Sequence, residues 1–327
     1  AINYEELSLG LLGLASLNEP VLLNLRFLKD NDNLDLAELL YIGLAFDKLG
    51  SKGDAEEMFD KVVGNLAENN LSEGNLERAH DPNFPKDVAK LFAENGLMGI
   101  TLPEKEGGQG GKLMDAVIAI EQVALVCPRS ADVIQSGSFG PLRTFAEYAS
   151  DFQKEKYLSK LLRGEIVIAL GMTEPNAGSA VTDLTTKAVE DGDGFRVSGS
   201  KVFTSNSPDA DIFLVYVRYH EGINGIGSVL MDRSMEGFTL GKPSRYTNGE
   251  EWCALYFDNV FIPKENVLLG PGGFKKQISG FNAERIGNTA RSLAVGEFAF
   301  NVAKEHAVTR EQFGRKICEF QGIQWKF

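Results

Sequence analysis

The sequence predicts a multi-domain α+β protein. It has an N-terminal helical domain, a central antiparallel β-barrel or β-sandwich domain, and a C-terminal helical bundle that is incomplete. Three observations lead there. Apolar residues recur at three-to-four spacing through roughly the first half of the chain, the period of an amphipathic helix. At Ile166 the pattern switches to short β-branched and aromatic runs separated by turn signals, which read as strands. After "GPGGF" the helical period returns.

The first seventy residues carry three helical stretches, "YEELSLGLLGLASL", "LDLAELLYIGLAFDKLG" and "DAEEMFDKVVGNLAE", with Gly50 and Gly53 expected to break the last two. The pair resembles a helical-hairpin unit of solenoid proteins, but a single copy does not make a repeat array. Residues 1–70 therefore read as an extra helical segment, and 71–165 as the N-terminal helical domain. Pro85 opens the helix in "FPKDVAKLFAENG" and Gly96 closes it, the usual asymmetry of helix ends. "LMDAVIAIEQVALVC", "SADVIQSGSFGPLRTFAEYA" and "SDFQKEKYLSKLLRGE" follow, with Ser150 as N-cap of the last.

Residues 166–272 form the β domain, with strands expected in "EIVIALGM", "TTKAVE", "GFRVSGSKVFTSN", "DIFLVYVRY", "GSVLMD" and "WCALYFDNV". No helices interleave with these strands, which disfavours a doubly wound parallel sheet. Residues 273–327 begin the C-terminal bundle. From Glu284, Ile286, Ala290, Leu293, Phe300, Ala303 and Ala307 fall on one helical stripe, and Arg285, Thr289, Ser292, Gly296 and Ala299 make a second, mostly small face. A last helix is expected to start in "EFQGIQWKF" and to stop in mid-pattern.

The 327 residues allow two or three domains. A net charge of −13 argues against nucleic acid and anionic membranes as partners. It leaves room for an anionic ligand held by a few placed cations and backbone N–H groups. Cys127, Cys253 and Cys318, and His80, His220 and His306, show no metal-ligand spacing, so no metal is expected. No apolar run reaches the roughly 18 residues of a membrane span, and the start lacks a signal layout. A soluble protein of the cytoplasm, or of the mitochondrial matrix in a eukaryote, is expected.

Four stretches carry a resemblance. "LGMTEPNAGSAVTDLTTKA" resembles the T-E-P-x-A-G-S-D signature of flavin-dependent acyl-CoA dehydrogenases. "SGSKVFTSNSPDADIFLVYVR" is similar to that family's G-x-K-x-[WF]-I-[TS]-N-[AG] element and the strand after it. "ERIGNTARSLAVGEFAFNVAKEHAVTREQFGRKICEFQGIQWK" resembles its C-terminal helices, with R-x-x-F-G and F-Q-x-x-Q, and "NGLMGITLPEKEGGQGG" is a weaker fourth match. Together they cover roughly residues 75–327, in order.

The resemblance implies FAD as cofactor and an acyl-CoA thioester as substrate. A carboxylate takes the α proton while the β hydrogen leaves as hydride to flavin N5, giving a 2-enoyl-CoA. Met172 and Thr173 would lie against the flavin, with Phe203 stacking on it and Ser205 hydrogen-bonding it. Ser179, Phe281, Asn282 and Arg285 would meet the CoA substrate. Arg310 would reach the FAD pyrophosphate of a neighbouring subunit, as its planar fork suits, with Phe313 and Gln321 also near the cofactor. The family's shared cofactor implies a homo-oligomer, a dimer or tetramer, and electron-transferring flavoprotein as electron acceptor.

Other readings of the same residues stand beside these. Without the motifs, Thr173 and Ser179 are turn residues, Phe203 is a strand-core aromatic, and Arg310 is a cation favoured at a helix C-terminus. Two positions are open for the base. Glu284, directly before Arg285 at the start of a long helix, occupies the position used by isovaleryl and long-chain types. Many members instead use a later Glu, in a region beyond Phe327. Ala180 stands where the signature has Asp, and "RYTNGEEWCALYFDNV" departs from the family loop, bringing Glu250 and Glu251. A non-catalytic scaffold that keeps the fold, and an oxidase-like or enoyl-CoA-reducing relative, are the competing functions.

Overall fold

The computed structural model describes residues 3–31 and 33–327. Thirteen helices are found among the described residues: α1 (Tyr4–Ser16), α2 (Leu22–Leu28), α3 (Leu36–Lys48), α4 (Lys52–Leu71), α5 (Asn75–His80), α6 (Lys86–Glu94), α7 (Leu113–Val126), α8 (Pro128–Ser138), α9 (Gly140–Tyr148), α10 (Asp151–Leu162), α11 (Phe274–Ser279), α12 (Phe281–Thr309) and α13 (Gln321–Gln324). The strands are β1 (Ile168–Gly171), β2 (Lys187–Asp191), β3 (Gly194–Ser205), β4 (Ile212–Arg218), β5 (Ile226–Asp232), β6 (Phe238–Leu240), β7 (Ser244–Arg245), β8 (Glu251–Pro263), β9 (Val267–Leu269), β10 (Glu311–Gln312) and β11 (Arg315–Lys316). No helix among the described residues is long and apolar enough to cross a membrane.

The chain gathers into two compact units that are not consecutive stretches. One joins the chain up to Asn75 with Glu121–Pro128 and Ala290–Phe327; the other is Leu76–Ile120 with Arg129–Thr289.

In the first unit, α1, α2, α3 and α4 share a core. Leu25, Ile42, Ala45, Phe46 and Met58 are fully buried in it. Helix α3 starts at a capping box, where Asp35 accepts from the Glu38 backbone and Glu38 accepts from that of Asp35. Asp54 ties α4 back to α2, accepting from Arg26 at 2.8 Å, Lys29 at 3.0 Å and Ser51 at 2.7 Å. Gly50 ends α3, but Gly53 lies inside the first turn of α4 and breaks nothing. Helix α2 is a short element that the sequence pattern does not announce.

In the second unit, α9 and α10 lay Phe145, Leu158 and Leu161 on Ile168, Leu214, Tyr216 and Leu230 of the sheet. Helix α6 runs from its Pro85 cap to Asn95, with Gly96 just past it. The stretch expected as one helix from Ser130 to Ala149 is two, α8 and α9, interrupted at Phe139. Ser150 caps α10 through a reciprocal box with Gln153. The buried Gln153 amide also donates to the Glu265 and Val267 carbonyls at 2.8 and 3.0 Å, pinning α10 to the edge of β9.

The β domain is one sheet of nine strands, ordered β6-β8-β3-β2-β4-β5-β9, with β1 added on β4 and β7 on β8. All six expected strands are present, and β6, β7 and β9 are short additions. The pairings are antiparallel except β1–β4 and β2–β4, which are parallel. The path from β6 to β9 stays open. β1 lies near β3 and β5 near β8, so the sheet folds over on itself as a sandwich does and does not close as a barrel. β4 and β5 are buried along almost their whole length, which explains their unbroken apolar runs.

Helix α12 opens at Phe281, three residues before Glu284. Of its expected apolar stripe, Ala290 and Ala307 are buried, whereas Ile286, Leu293, Phe300 and Ala303 stay exposed. A helix buries only the face that another element covers, and periodicity alone does not say whether a covering element is there. The last expected helix is the single turn α13.

Ser150→Ala removes one half of the α10 capping box. It is expected to lower stability by about 1 kcal/mol, read as a shifted denaturant midpoint with an unchanged m-value.

Candidate active site

The first wall of the site is the turn after β1. Glu174 and Ala177 exchange backbone hydrogen bonds of 3.1 Å across "EPNA", closing it tightly. The Glu174 side chain points inward, 5% exposed, and gathers five donors. These are the Thr185 and Thr186 backbone N–H groups at 2.6 and 2.9 Å, their hydroxyls at 2.8 and 2.6 Å, and the Lys201 ammonium at 2.8 Å. Burial alone would raise this carboxyl, but the Lys201 charge and the threonine hydrogen bonds outweigh it and hold the group at about 2. Lys201 is fully enclosed, and burial pulls its ammonium down to about 8 against the opposing pull of Glu174. It also donates to the Met172 carbonyl, at 3.2 Å. The pair is thus ionised at neutral pH and grips the backbone of the turn.

The same lysine lies on β3, which supplies the second wall. The Val202 N–H donates to the Thr173 carbonyl at 2.8 Å, so the two signature loops are stitched side by side. Thr186 also packs closely on β3, at Gly199: a Cβ there would lie 2.6 Å from the Thr186 hydroxyl oxygen. Beyond Lys201 the pairing of β3 with β8 shifts register, and Phe203 takes φ +56°. A positive φ on an aromatic residue is uncommon and strained. The kink turns the ring out of the strand core, 55% exposed. The strand-core alternative for Phe203 is therefore corrected: Thr204, not Phe203, is the buried residue here.

The hairpin between β7 and β8 braces this ring. Trp252 lies 4.6 Å from Phe203 between ring centroids, and Tyr246 lies 6.1 Å from Trp252. The Tyr246 hydroxyl donates to the Phe203 carbonyl at 3.2 Å and accepts from the Ser205 hydroxyl at 3.4 Å. The hairpin is tight: Tyr246 N–H donates to the Glu250 carbonyl at 2.8 Å. Gly249, at φ +91°, runs so close to α5 that a Cβ would sit 2.4 Å from the Ala79 carbonyl oxygen. Glu250 is buried and pairs with Arg129 of α8 at 3.1 Å, and Arg129 also donates to the Asn83 carbonyl. Glu251 pairs with Arg245 at 3.4 Å. The loop that departs from the family pattern is thus a pinned hairpin, and its two glutamates hold it in place.

The third group is the start of α12. Phe281 packs on the core cluster that also takes Met172. The Arg285 guanidinium lies 5.9 Å above the Phe281 ring and donates to Asn282 at 3.5 Å. Glu284, in the first turn where the helix dipole favours a carboxylate, accepts from the Gln135 amide of α8 at 2.8 Å. Ser179 and Ala180 are exposed on the turn after Ala177.

Arg310, Phe313 and Gln321 belong to the other compact unit. All three are exposed around the β10–β11 hairpin. Phe313 sits at its tip with φ +53°, 92% exposed, and the Arg315 guanidinium stacks at 3.9 Å on Phe320.

Comparison with known proteins is decisive about kinship. Three family models match in order: acyl-CoA dehydrogenase N-terminal domain over residues 53–165, middle domain over 169–260 and C-terminal domain over 271–327. The chain belongs to the acyl-CoA dehydrogenase family. Within it, the chain is 31% identical over 275 residues to a short-chain-specific acyl-CoA dehydrogenase of Clostridium acetobutylicum, covering 83% of this chain and 73% of that one. It is 34% identical over 281 residues to a mitochondrial isovaleryl-CoA dehydrogenase of Arabidopsis thaliana, covering 84% and 68%. An NADH-dependent acryloyl-CoA reductase of Anaerotignum propionicum is 31% identical, covering 83% and 70%. Among solved structures, butyryl-CoA dehydrogenase from Megasphaera elsdenii superposes with a TM-score of 0.74 at 30% identity, over 83% of this chain and 73% of that one. Residues 1–52 lie outside all three family matches.

Against this acyl-CoA dehydrogenase frame, motif reading singled out the residues that face outward and missed those that hold them. Glu174 and Lys201 stand inside the quoted motifs as the E of T-E-P and the K of G-x-K, so a signal was present. Gln135, Arg129, Tyr246 and Trp252 carry no local signal, because their partners lie far away in sequence.

Lys201→Met leaves the Glu174 carboxylate buried without its counter-ion and is expected to cost about 3–5 kcal/mol in denaturant unfolding. Glu174 has a depressed folded-state pKa. The stability it contributes is therefore complete above its ordinary value of 4.5 and is lost as pH falls towards about 2. In the variant that acid-dependent loss shrinks, because without the ammonium the folded-state pKa of Glu174 rises and the gap from its unfolded value narrows.

Proposed function

We propose that this protein is an FAD-dependent acyl-CoA dehydrogenase that converts a saturated acyl-CoA to a 2-enoyl-CoA, with Glu284 as the base. The observation that carries the reading is the stitched pair of signature loops. Lys201 and Glu174 lock them together, and Phe203 is presented on a kinked strand beside Met172 and Thr173. An outward, braced aromatic ring next to an accessible hydroxyl and backbone edge fits a flat heteroaromatic cofactor, and these residues therefore fit a flavin. When bound, FAD would supply the hydride acceptor at N5.

The chain's own residues do the rest. Phe203 and Met172 hold the ring plane, and Thr173 and Ser205 offer hydroxyls to its polar edge. Arg310 offers a planar cation to the pyrophosphate of a neighbouring protomer's FAD, with Phe313 and Gln321 as further contacts to that cofactor. Ser179, Asn282 and Arg285 line the approach of the CoA thioester, and Phe281 backs the acyl chain. Glu284 takes the α proton, and the Gln135 amide holds its carboxylate in one orientation. Hydrogen bonds to the thioester oxygen stabilise the charge that develops there.

The same groups serve reduction of a 2-enoyl-CoA, since the base returns the proton in reverse. Relatives named as reductases favour keeping that direction open. The electron partner then sets the direction, and an electron-transferring flavoprotein is the proposed acceptor for dehydrogenation. Exposed Leu293, Phe300 and Val302 on α12 favour assembly as a homo-oligomer, since large apolar patches mark protein contacts.

The test is anaerobic bleaching of bound flavin by a panel of acyl-CoA thioesters. The expected result is a yellow protein bleached by at least one of them. A colourless protein that takes up no FAD overturns the proposal. Glu284→Gln is expected to slow bleaching by about 10²–10⁴-fold, and an undiminished rate places the base elsewhere. Phe203→Ala is expected to weaken FAD binding roughly fivefold, the equivalent of about 1 kcal/mol of ring stacking, measured by equilibrium dialysis of the cofactor.

A further inference from the structure

We infer that Gln135 is a positioning residue for the base: its buried side-chain amide fixes and tunes the Glu284 carboxylate. The inference rests on the assignment of Glu284 made above, and it adds a residue that neither the motifs nor the family models single out.

The geometry has three parts. Gln135 lies on α8, 3% exposed, and its Nε2 donates to Glu284 Oε1 at 2.8 Å and to Asn288 Oδ1 at 2.7 Å. A primary amide has two N–H donors, and here each has an acceptor one helical turn apart on the same face of α12. The orientation of the amide is therefore fixed by chemistry. Turned over, its oxygen would face a carboxylate oxygen and an amide oxygen, and both contacts would be repulsive.

The second part is close packing. Gly287 lies between Glu284 and Asn288 in sequence, and a Cβ there would meet the Phe139 ring at 2.7 Å and Gln135 Cγ at 3.2 Å. The third is the start of α9: a Cβ on Gly140 would lie 3.3 Å from Glu284 Oε2. The carboxylate is thus held from α8 on one oxygen, and its other oxygen lies where a side chain on Gly140 of α9 would press on it. A side chain in such a slot keeps one rotamer, which is what a base must do to meet an α proton at the right angle.

Charged groups lie on each element packed here, Arg291 of α12 among them. On α8, Arg129 and Asp132 pair with each other, and Arg129 pairs with Glu250. On α9, Arg143 and Glu147 both act on Tyr148. On α12, Arg285 points to Asn282 and Phe281. The hydrogen bond that Gln135 of α8 gives Glu284 comes from a neutral amide. An N–H donor favours the ionised carboxylate, so removing it raises the pH at which Glu284 becomes competent.

The experiment is the pH profile of the anaerobic bleaching rate, with flavin content measured in parallel. Gln135→Met keeps the side-chain volume and removes both donors. It is expected to move the acid limb of the profile up by about one pH unit, so that the rate well below that limb falls roughly tenfold. FAD content stays unchanged. Asn288→Ala, at an exposed position, removes the second acceptor and lets the amide turn; a smaller shift in the same direction is expected. In the Glu284→Gln background, Gln135→Met is expected to add nothing, because it acts through the residue already removed.

If Glu284→Gln abolishes bleaching but both other variants leave the profile unmoved, the inference falls and the base assignment stands. If bleaching survives Glu284→Gln at full rate, both fall together. Additive losses in the double variant also overturn the inference, since they would mean that Gln135 acts only on folding.

Discussion

The buried ion pair between Glu174 and Lys201 is the contact on which the site depends. Glu174 belongs to the turn after β1 and Lys201 to strand β3, and neither could stay charged in the interior alone. Burial of a lone carboxylate or ammonium costs several kcal/mol, so each segment is committed to the other. Four further hydrogen bonds from Thr185 and Thr186 complete the carboxylate's shell, and the Met172 carbonyl takes another hydrogen of the lysine. A buried pair of this kind adds little to net stability compared with apolar side chains of equal volume. What it supplies is register. It sets where the β1 turn meets β3, and hence where Thr173, Phe203 and Ser205 face.

Around that knot, strain and bracing go together. The positive φ at Phe203 raises the energy of the strand end, and such a conformation persists only where the surroundings over-determine it. Here they do. Tyr246 holds the Phe203 carbonyl, Trp252 holds the ring, and the Arg129–Glu250 pair fixes the hairpin that carries both aromatics. The substitutions that set this loop apart from the family pattern are therefore mutually consistent. A buried glutamate appears where a buried arginine waits for it.

The start of α12 shows the same logic in a different material. Two glycines, Gly140 and Gly287, let helices approach closely enough for an amide on α8 to reach two acceptors one turn apart. The carboxylate of Glu284 takes a hydrogen bond from that amide, which constrains its direction.

Much of the fold was legible in the sequence, for a physical reason. Periods of 3.6 and 2 are imposed by local backbone geometry, so the helical layers, the six main strands, the Pro85 and Gly96 helix ends and the Ser150 cap all follow from neighbouring residues. The family motifs were legible for the same reason, since each is a contiguous turn. Tertiary structure decided whatever depends on partners distant in the chain. It split the stretch around Phe139 into two helices and left most of the α12 stripe exposed. It turned Phe203 out of its strand, and it placed Gln135 against Glu284, 149 residues away in sequence. Local pattern records what a residue prefers. Which other side chain satisfies it is set by the closing of the fold, because burial and hydrogen-bond pairing are properties of the assembled interior.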